Sequence, residues 1–220
     1  MTFSPPAPPA PPAPTAPSAP PAPPAFAECT PRQKAARILT DALAPANLVV
    51  SLLLLIGWHS TGSWSGLGWG LLGALFCGVV PIGIILVGVR RGALTDQHIR
   101  IRRQRMVPMT LSALSVAAGL ALLYLLGAPA DVFALVVAML VGLASSLLVT
   151  VGWQISIHMS VAGGTVMILL LVFGAPVLPA ALLAGAVGWS RLVLKAHTPA
   201  QVLAGSALGG AAALTFALLR

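Results

Sequence analysis

From residue 42 onward the chain is a series of apolar runs separated by short polar or Gly/Pro-rich joints. Runs at 42–58, 67–89, 108–127, 132–152, 158–174, 177–194 and 199–219 each approach the ~20 residues that an α-helix needs to cross ~30 Å of hydrocarbon. The joints are Gly127 to Asp131 (Gly-Ala-Pro-Ala-Asp), Gly174-Ala175-Pro176, and the polar stretch from Arg90 to Arg105. This pattern predicts an all-α, polytopic transmembrane helix bundle of about seven helices, six to seven of them spanning. A short basic amphipathic stretch with Arg32, Lys34 and Arg37 precedes the first run. Before it, residues 1–28 hold twelve prolines between Pro5 and Pro24. Proline removes N–H donors and fixes φ, so this tract is expected to be a disordered, extended tail. It has neither the basic start nor the apolar core of a signal peptide. The chain thus divides into a tail, 1–28, and a membrane domain, 29–220.

Composition sharpens the picture. Only 7% of residues are charged and 58% are hydrophobic, against about 25% charged in soluble proteins, so the chain cannot cover a water-facing surface. The four acidic residues, Glu28, Asp41, Asp96 and Asp131, are too few and scattered for a magnesium site built on two aspartate-rich motifs. Cys29 and Cys77 lie in different surroundings and support neither a disulfide framework nor a cysteine zinc site. The net charge of +8 suggests topology first, and then an anionic ligand or headgroup rather than nucleic acid. With seven spans, eleven of the twelve Lys and Arg residues collect on one face and only Arg220 lies opposite. The positive-inside rule makes that face cytoplasmic in a multi-pass protein of the cell membrane.

Polar residues at membrane ends are costly and point to function. Three clusters fall on the basic face. The first runs from Asp96 through His98 to Arg102, Arg103 and Arg105. Arginine forks match phosphate oxygens, and Arg102 and Arg105, three apart, would project together on a helical turn. A topology anchor without a ligand is the alternative. The second is Gln154-Ile155-Ser156-Ile157-His158, where a histidine beside a serine could protonate a leaving group or simply cap a helix end. The third runs from Ser190-Arg191 through Lys195, His197, Thr198 and Pro199 to Gln201. Thr198 reads as an N-cap, Pro199 as the first helical residue and Gln201 as the partner in a capping box. His197 then stands just before a helix N-terminus, which favours an anion, and its imidazole could attack phosphorus. The structural alternative leaves Arg191 and Lys195 snorkelling and Thr198 and Gln201 as a cap only.

Ser190-Arg191, five residues, His197, three residues and Gln201 resemble the last motif of the type 2 phosphatidic-acid-phosphatase superfamily, Ser-Arg-x5-His-x3-Asp, with Gln for the final Asp. Ser156-Ile157-His158 is similar to the family's Pro-Ser-Gly-His, lacking its Pro and Gly. The arginine loop resembles the basic Lys-x6-Arg-Pro motif more loosely, with Arg105 at the Arg position, His98 where Lys is expected and Met106 where Pro is expected. The resemblance covers about residues 90–210. It implies a phosphatase that uses no metal or other cofactor and acts on a lipid phosphate or isoprenoid (di)phosphate. In that reading His197 is the nucleophile and forms a phospho-histidine, and His158 is the general acid. Arg191, Arg105 and Arg102 hold phosphoryl oxygens, while Ser156 and Ser190 contribute further donors. Gln201, or Asp96 from the arginine loop, orients the nucleophile.

Substrate tails are expected to stay in the bilayer while the phosphate meets the site at headgroup level. A catalytically silent relative that binds an anionic lipid or a partner is one alternative, motivated by the missing Lys, Gly and Asp. A small-molecule transporter subunit is another. Trp58, Trp64 and Trp69 read as an interfacial belt, and His59, away from the clusters, is assigned no chemistry. The decisive expectation is spatial: His158, His197, Arg191 and Arg105 should converge within about 4–8 Å.

Overall fold

The structure is a computed structural model that describes residues 26–99 and 101–220. The expected disordered tail lies outside the described residues through position 25, as does Arg100. Phe26–Glu28 close a 3-10 turn rather than extending the tail. The run of prolines has ended at Pro24, so backbone N–H donors are available again.

Eight helices follow, with no strand among the described residues. They are α1 (Pro31–Ala42), α2 (Pro45–Thr61), α3 (Trp64–Arg90), α4 (Arg102–Leu125), α5 (Ala130–Gly152), α6 (Ile157–Phe173), α7 (Ala181–Val193) and α8 (Pro199–Leu219). Five stretches are long and apolar enough to cross a membrane: α3, α4, α5, α8, and α7 together with the 3-10 turn Ala175–Ala180 before it. α1 and α2, bent by 43° at their junction, pass the same test as a pair and give a sixth. α6 is apolar but shorter, at 17 residues. The chain is a multi-pass membrane bundle, and every apolar run of the sequence is helical. Its interior closes around Leu53, Ile56, Leu123, Val132, Leu135 and Phe216, while Leu71, Leu114, Leu148 and Leu203 stand exposed on the outside. Outward leucines are what a lipid-solvated bundle needs.

Two prolines shape the helices. Pro108, expected at the start of its helix, instead lies in the seventh position of α4. The six residues before it are helical because the arginine turn finds partners across the bundle. Arg102 Nη1 donates to the carbonyls of Val151 at 3.0 Å and Gly152 at 2.6 Å, acceptors left over at the end of α5. In α3, Pro81 follows a π-helical segment, Leu75–Val79, in which Val80 N–H bonds to Leu75 O. In that register the Phe76 carbonyl faces the N–H that proline lacks. It is satisfied from α4, where Ser115 Oγ donates at 2.8 Å.

Candidate functional site

α6 and α8 approach until backbone meets backbone. A Cβ at Gly205 would lie 2.5 Å from Ser156 O, one at Gly163 would lie 2.6 Å from Ser206 O, and one at Gly209 would overlap the Ser160 carbonyl. This glycine seam joins the second and third sequence clusters at one end of the bundle. Ser156 N–H donates to Gln201 O at 3.2 Å, and Ser156 Oγ caps α6 by accepting from Met159 N–H at 3.4 Å. Ser156 is fully buried and does not point to the cavity described below.

Gln201 carries two functions at once. The capping box forms as the sequence predicts: Gln201 N–H donates to Thr198 Oγ1 at 3.3 Å, and Thr198 N–H donates to Gln201 Oε1 at 3.0 Å. Because a backbone N–H can only donate, the atom it meets is the amide oxygen. That same Oε1 lies 3.3 Å from His197 Nδ1. An amide oxygen can only accept, so in the neutral ring Nδ1 carries the proton and the lone pair resides on Nε2. Gln201 thus meets the His197 ring as a neutral acceptor. Asp96 does not take that part. Its Oδ1 accepts from His98 N–H at 2.8 Å and organises its own loop.

His158 is 8% exposed, and its Nε2 has no hydrogen-bond partner among the described residues. Its ring stacks on His98, with centroids 5.5 Å apart and planes 25° from parallel. His98 Nε2 in turn lies 3.4 Å from Asp41 Oδ1 at the end of α1. Arg191, His98, His197 and Arg105 all act electrostatically on the His158 ring. His158, His197, His98 and Arg105 line one cavity of about 450 Å³.

The remaining predicted residues divide. Arg105 is 5% exposed and bridges the loops, donating from Nε to Ile99 O at 2.8 Å and from Nη1 to Ile155 O at 3.1 Å. Arg191 is buried at the end of α7, close enough to act on His158, but is not in the cavity wall. Arg102 caps α5 and stands away from the cavity. Ser190 Oγ donates to Val187 O at 2.7 Å and accepts from Thr40 Oγ1 at 2.9 Å, which ties α1 to α7 rather than offering a donor to a ligand. Sequence reasoning did not single out Asp41. It named His98 within the arginine cluster and at the lysine position of the resembled motif, without assigning it a role. The available signal was that Asp41 and Asp96 are two of only four acids in the chain, both beside basic stretches. Among the described residues, no three His, Cys, Asp or Glu side chains gather as metal ligands. Comparison with protein-family models, curated proteins and solved structures gives no match for this chain.

Proposed function

We propose that the chain is a membrane phosphatase that hydrolyses a lipid phosphate or isoprenoid (di)phosphate through a phospho-histidine, without a metal or other cofactor. The observation that carries this reading is that two buried histidines and a buried arginine share one cavity, with the lone pair of one imidazole fixed on Nε2 by Gln201. His197 Nε2 attacks phosphorus; a P–N bond forms as the bond to the leaving oxygen breaks. That oxygen takes a proton from His158. Water then attacks the phospho-histidine, gives its proton to His158 and releases inorganic phosphate. Arg105 and Arg191 supply positive charge for the phosphoryl oxygens, which spread charge in the transition state. His158 sits among these cations, so the incoming phosphate brings the negative charge that lets the ring hold its proton. By the positive-inside rule, the site end with its arginines faces the cytoplasm at the cell membrane.

Phosphate release by purified protein, with and without magnesium chelation, tests this. Turnover should survive chelation and fall at least about 10³-fold in His197→Ala, as expected for loss of a nucleophile. Unchanged turnover in that variant refutes the assignment. One observation favours a silent binding protein: Gln201 offers His197 no charge. Lipid-phosphate binding without hydrolysis, lost in Arg105→Ala but kept in His197→Ala, would establish that reading instead.

A further inference from the structure

The cavity continues far below the histidines. About 450 Å³ is three times the ~150 Å³ void that holds a benzene, and falls in the ~300–1,000 Å³ range of small-molecule sites. Its charged and imidazole groups, Asp41, His98, Arg105, His158 and His197, gather at one end, while single hydroxyls of Ser112, Ser146, Ser160 and Thr165 line the stretch beyond them. The opposite end is formed by Leu52, Val116, Leu135, Ile168 and Ala213, each no more than 4% exposed. Along α4 from Arg105 to Val116, and along α6 from Ile157 to Ile168, the wall advances eleven residues, a depth of about 16 Å at ~1.5 Å per residue. A zigzag hydrocarbon chain with bonds of ~1.5 Å at ~111° gains about 1.25 Å per carbon. The cavity is therefore as deep as a chain of about twelve to thirteen carbons is long.

We infer that the cavity houses the hydrocarbon chain of the substrate, so that the ligand is an amphiphile with a phosphate head at His158, His197 and Arg105 and a chain of about twelve carbons inside the bundle. The chain lies within the protein, not in the bilayer where the sequence alone would leave it. This inference rests on the phosphatase reading for the position of the head. The depth of the cavity acts as a ruler for the chain. Ala138, 6% exposed, is part of the wall near the floor. It stands on α5 eight residues below Ser146, whose hydroxyl lies 3.5 Å from that of Ser160 on α6. Leucine at position 138 would raise the floor by about three carbons.

The test measures binding of non-hydrolysable alkyl phosphonates of six to eighteen carbons to amphipol-held protein, referred to their free aqueous concentration. Release of phosphate from the matching alkyl and prenyl phosphates is measured alongside. Affinity should rise about fourfold per methylene, the value for moving one from water into an apolar site, and stop rising near twelve carbons. In Ala138→Leu the break should move to about nine carbons, so the preference for twelve over nine falls about 60-fold. Ala213→Leu, at the floor, provides a second variant, and the wild-type series stands without either. Affinity that climbs through eighteen carbons with no break overturns the inference, because a tail lying in the surrounding amphiphile has no floor. Hydrolysis without chain-length dependence leaves the phosphatase and removes the ruler. A break at twelve with no hydrolysis of any phosphate keeps the chain site and removes the phosphatase. The prenyl and alkyl arms identify the source: a three-isoprene chain that binds more tightly than dodecyl assigns the site to isoprenoids, and the reverse order to fatty-alkyl phosphates.

Discussion

Replacing Gln201 with glutamate isolates the charge from every other function of that side chain. Glutamate keeps the shape of glutamine and serves equally at the third position of a capping box. Thr198 N–H, 3.0 Å from Oε1, keeps its acceptor, and so does His197 Nδ1 at 3.3 Å. What changes is that His197 gains an anionic partner at the moment its ring becomes positive on attacking phosphorus. A neutral hydrogen bond contributes about 0.5–1.5 kcal/mol net and a charged one about 1.5–3 kcal/mol. The transition state is therefore stabilised by about 1–1.5 kcal/mol more than in wild type, which is about a 5- to 12-fold rise in kcat. Steady-state phosphate release under saturating substrate measures this, with thermal denaturation run in parallel. Gln201→Ala is the counterpart: Thr198 still caps α8, but the reciprocal bond from Thr198 N–H is lost, at about 0.5–1.5 kcal/mol of stability, and the imidazole is freed to take the wrong tautomer. A Gln201→Glu protein that folds normally but turns over no faster would refute the claim that this hydrogen bond supports a nucleophilic ring.

Variants at three further positions probe how the site is held. His98 stacks on His158 and stands beside Asp41; if it serves as a cation toward phosphate, His98→Ala should lower kcat/KM about tenfold, the scale of one lost charged contact, and His98→Lys should retain activity within about threefold. Equal losses in both would assign the ring to stacking alone, with phosphate release again the assay. Gly209→Val should push α6 from α8, because even a Cβ there meets the Ser160 carbonyl. The expected cost is about 1–3 kcal/mol or more, seen as a lower unfolding midpoint with activity lost. The adjacent Gly210 has only Met167 Cε within reach, at 3.8 Å, so Gly210→Ala should be neutral or stabilising by up to about 1 kcal/mol.

The helices could be read from the sequence because lipid requires an apolar residue at almost every position of a span, a signal that needs no partner. Local chemistry was equally legible. The Thr198–Gln201 box has its partners within four positions of the chain, whereas Ser156, expected to donate to phosphate, instead caps α6. Boundaries failed where a local signal competed with a distant one. Pro108 looks like a helix start, but the carbonyls of Val151 and Gly152 extend α4 back to Arg102. The same contacts remove Arg102 from the phosphate set, since a guanidinium near a helix end fits a carbonyl as well as an anion. The attachment of α1 to α7 through Thr40 and Ser190, and the Asp41–His98–His158 row, connect residues far apart in the chain. No periodicity encodes such meetings. The cavity was invisible for the same reason, since its walls come from seven helices.

The short α6 explains why the site lies where it does. Seventeen residues extend only about 25 Å, less than the ~30 Å of hydrocarbon, and α6 is preceded by the non-helical Trp153–Ser156 link, in which Ile155 and Ser156 are buried. Irregular backbone there is tolerated only when its polar groups are satisfied by protein. The bundle supplies partners one by one: Arg105 Nη1 donates to Ile155 O, Ser156 N–H donates to Gln201 O, and Arg102 closes the end of α5. Two of these bonds involve residues of the proposed site, Arg105 and Gln201. Arg105 uses Nε and one Nη1 donor on carbonyls, which holds its fork rigid while the cavity side of the guanidinium remains available to a ligand. Gln201 uses its carbonyl on the link and its side chain on His197. The requirement to satisfy buried backbone inside a membrane thus positions the same side chains that the proposed chemistry needs. A variant that disturbs the link should therefore lose stability and activity together.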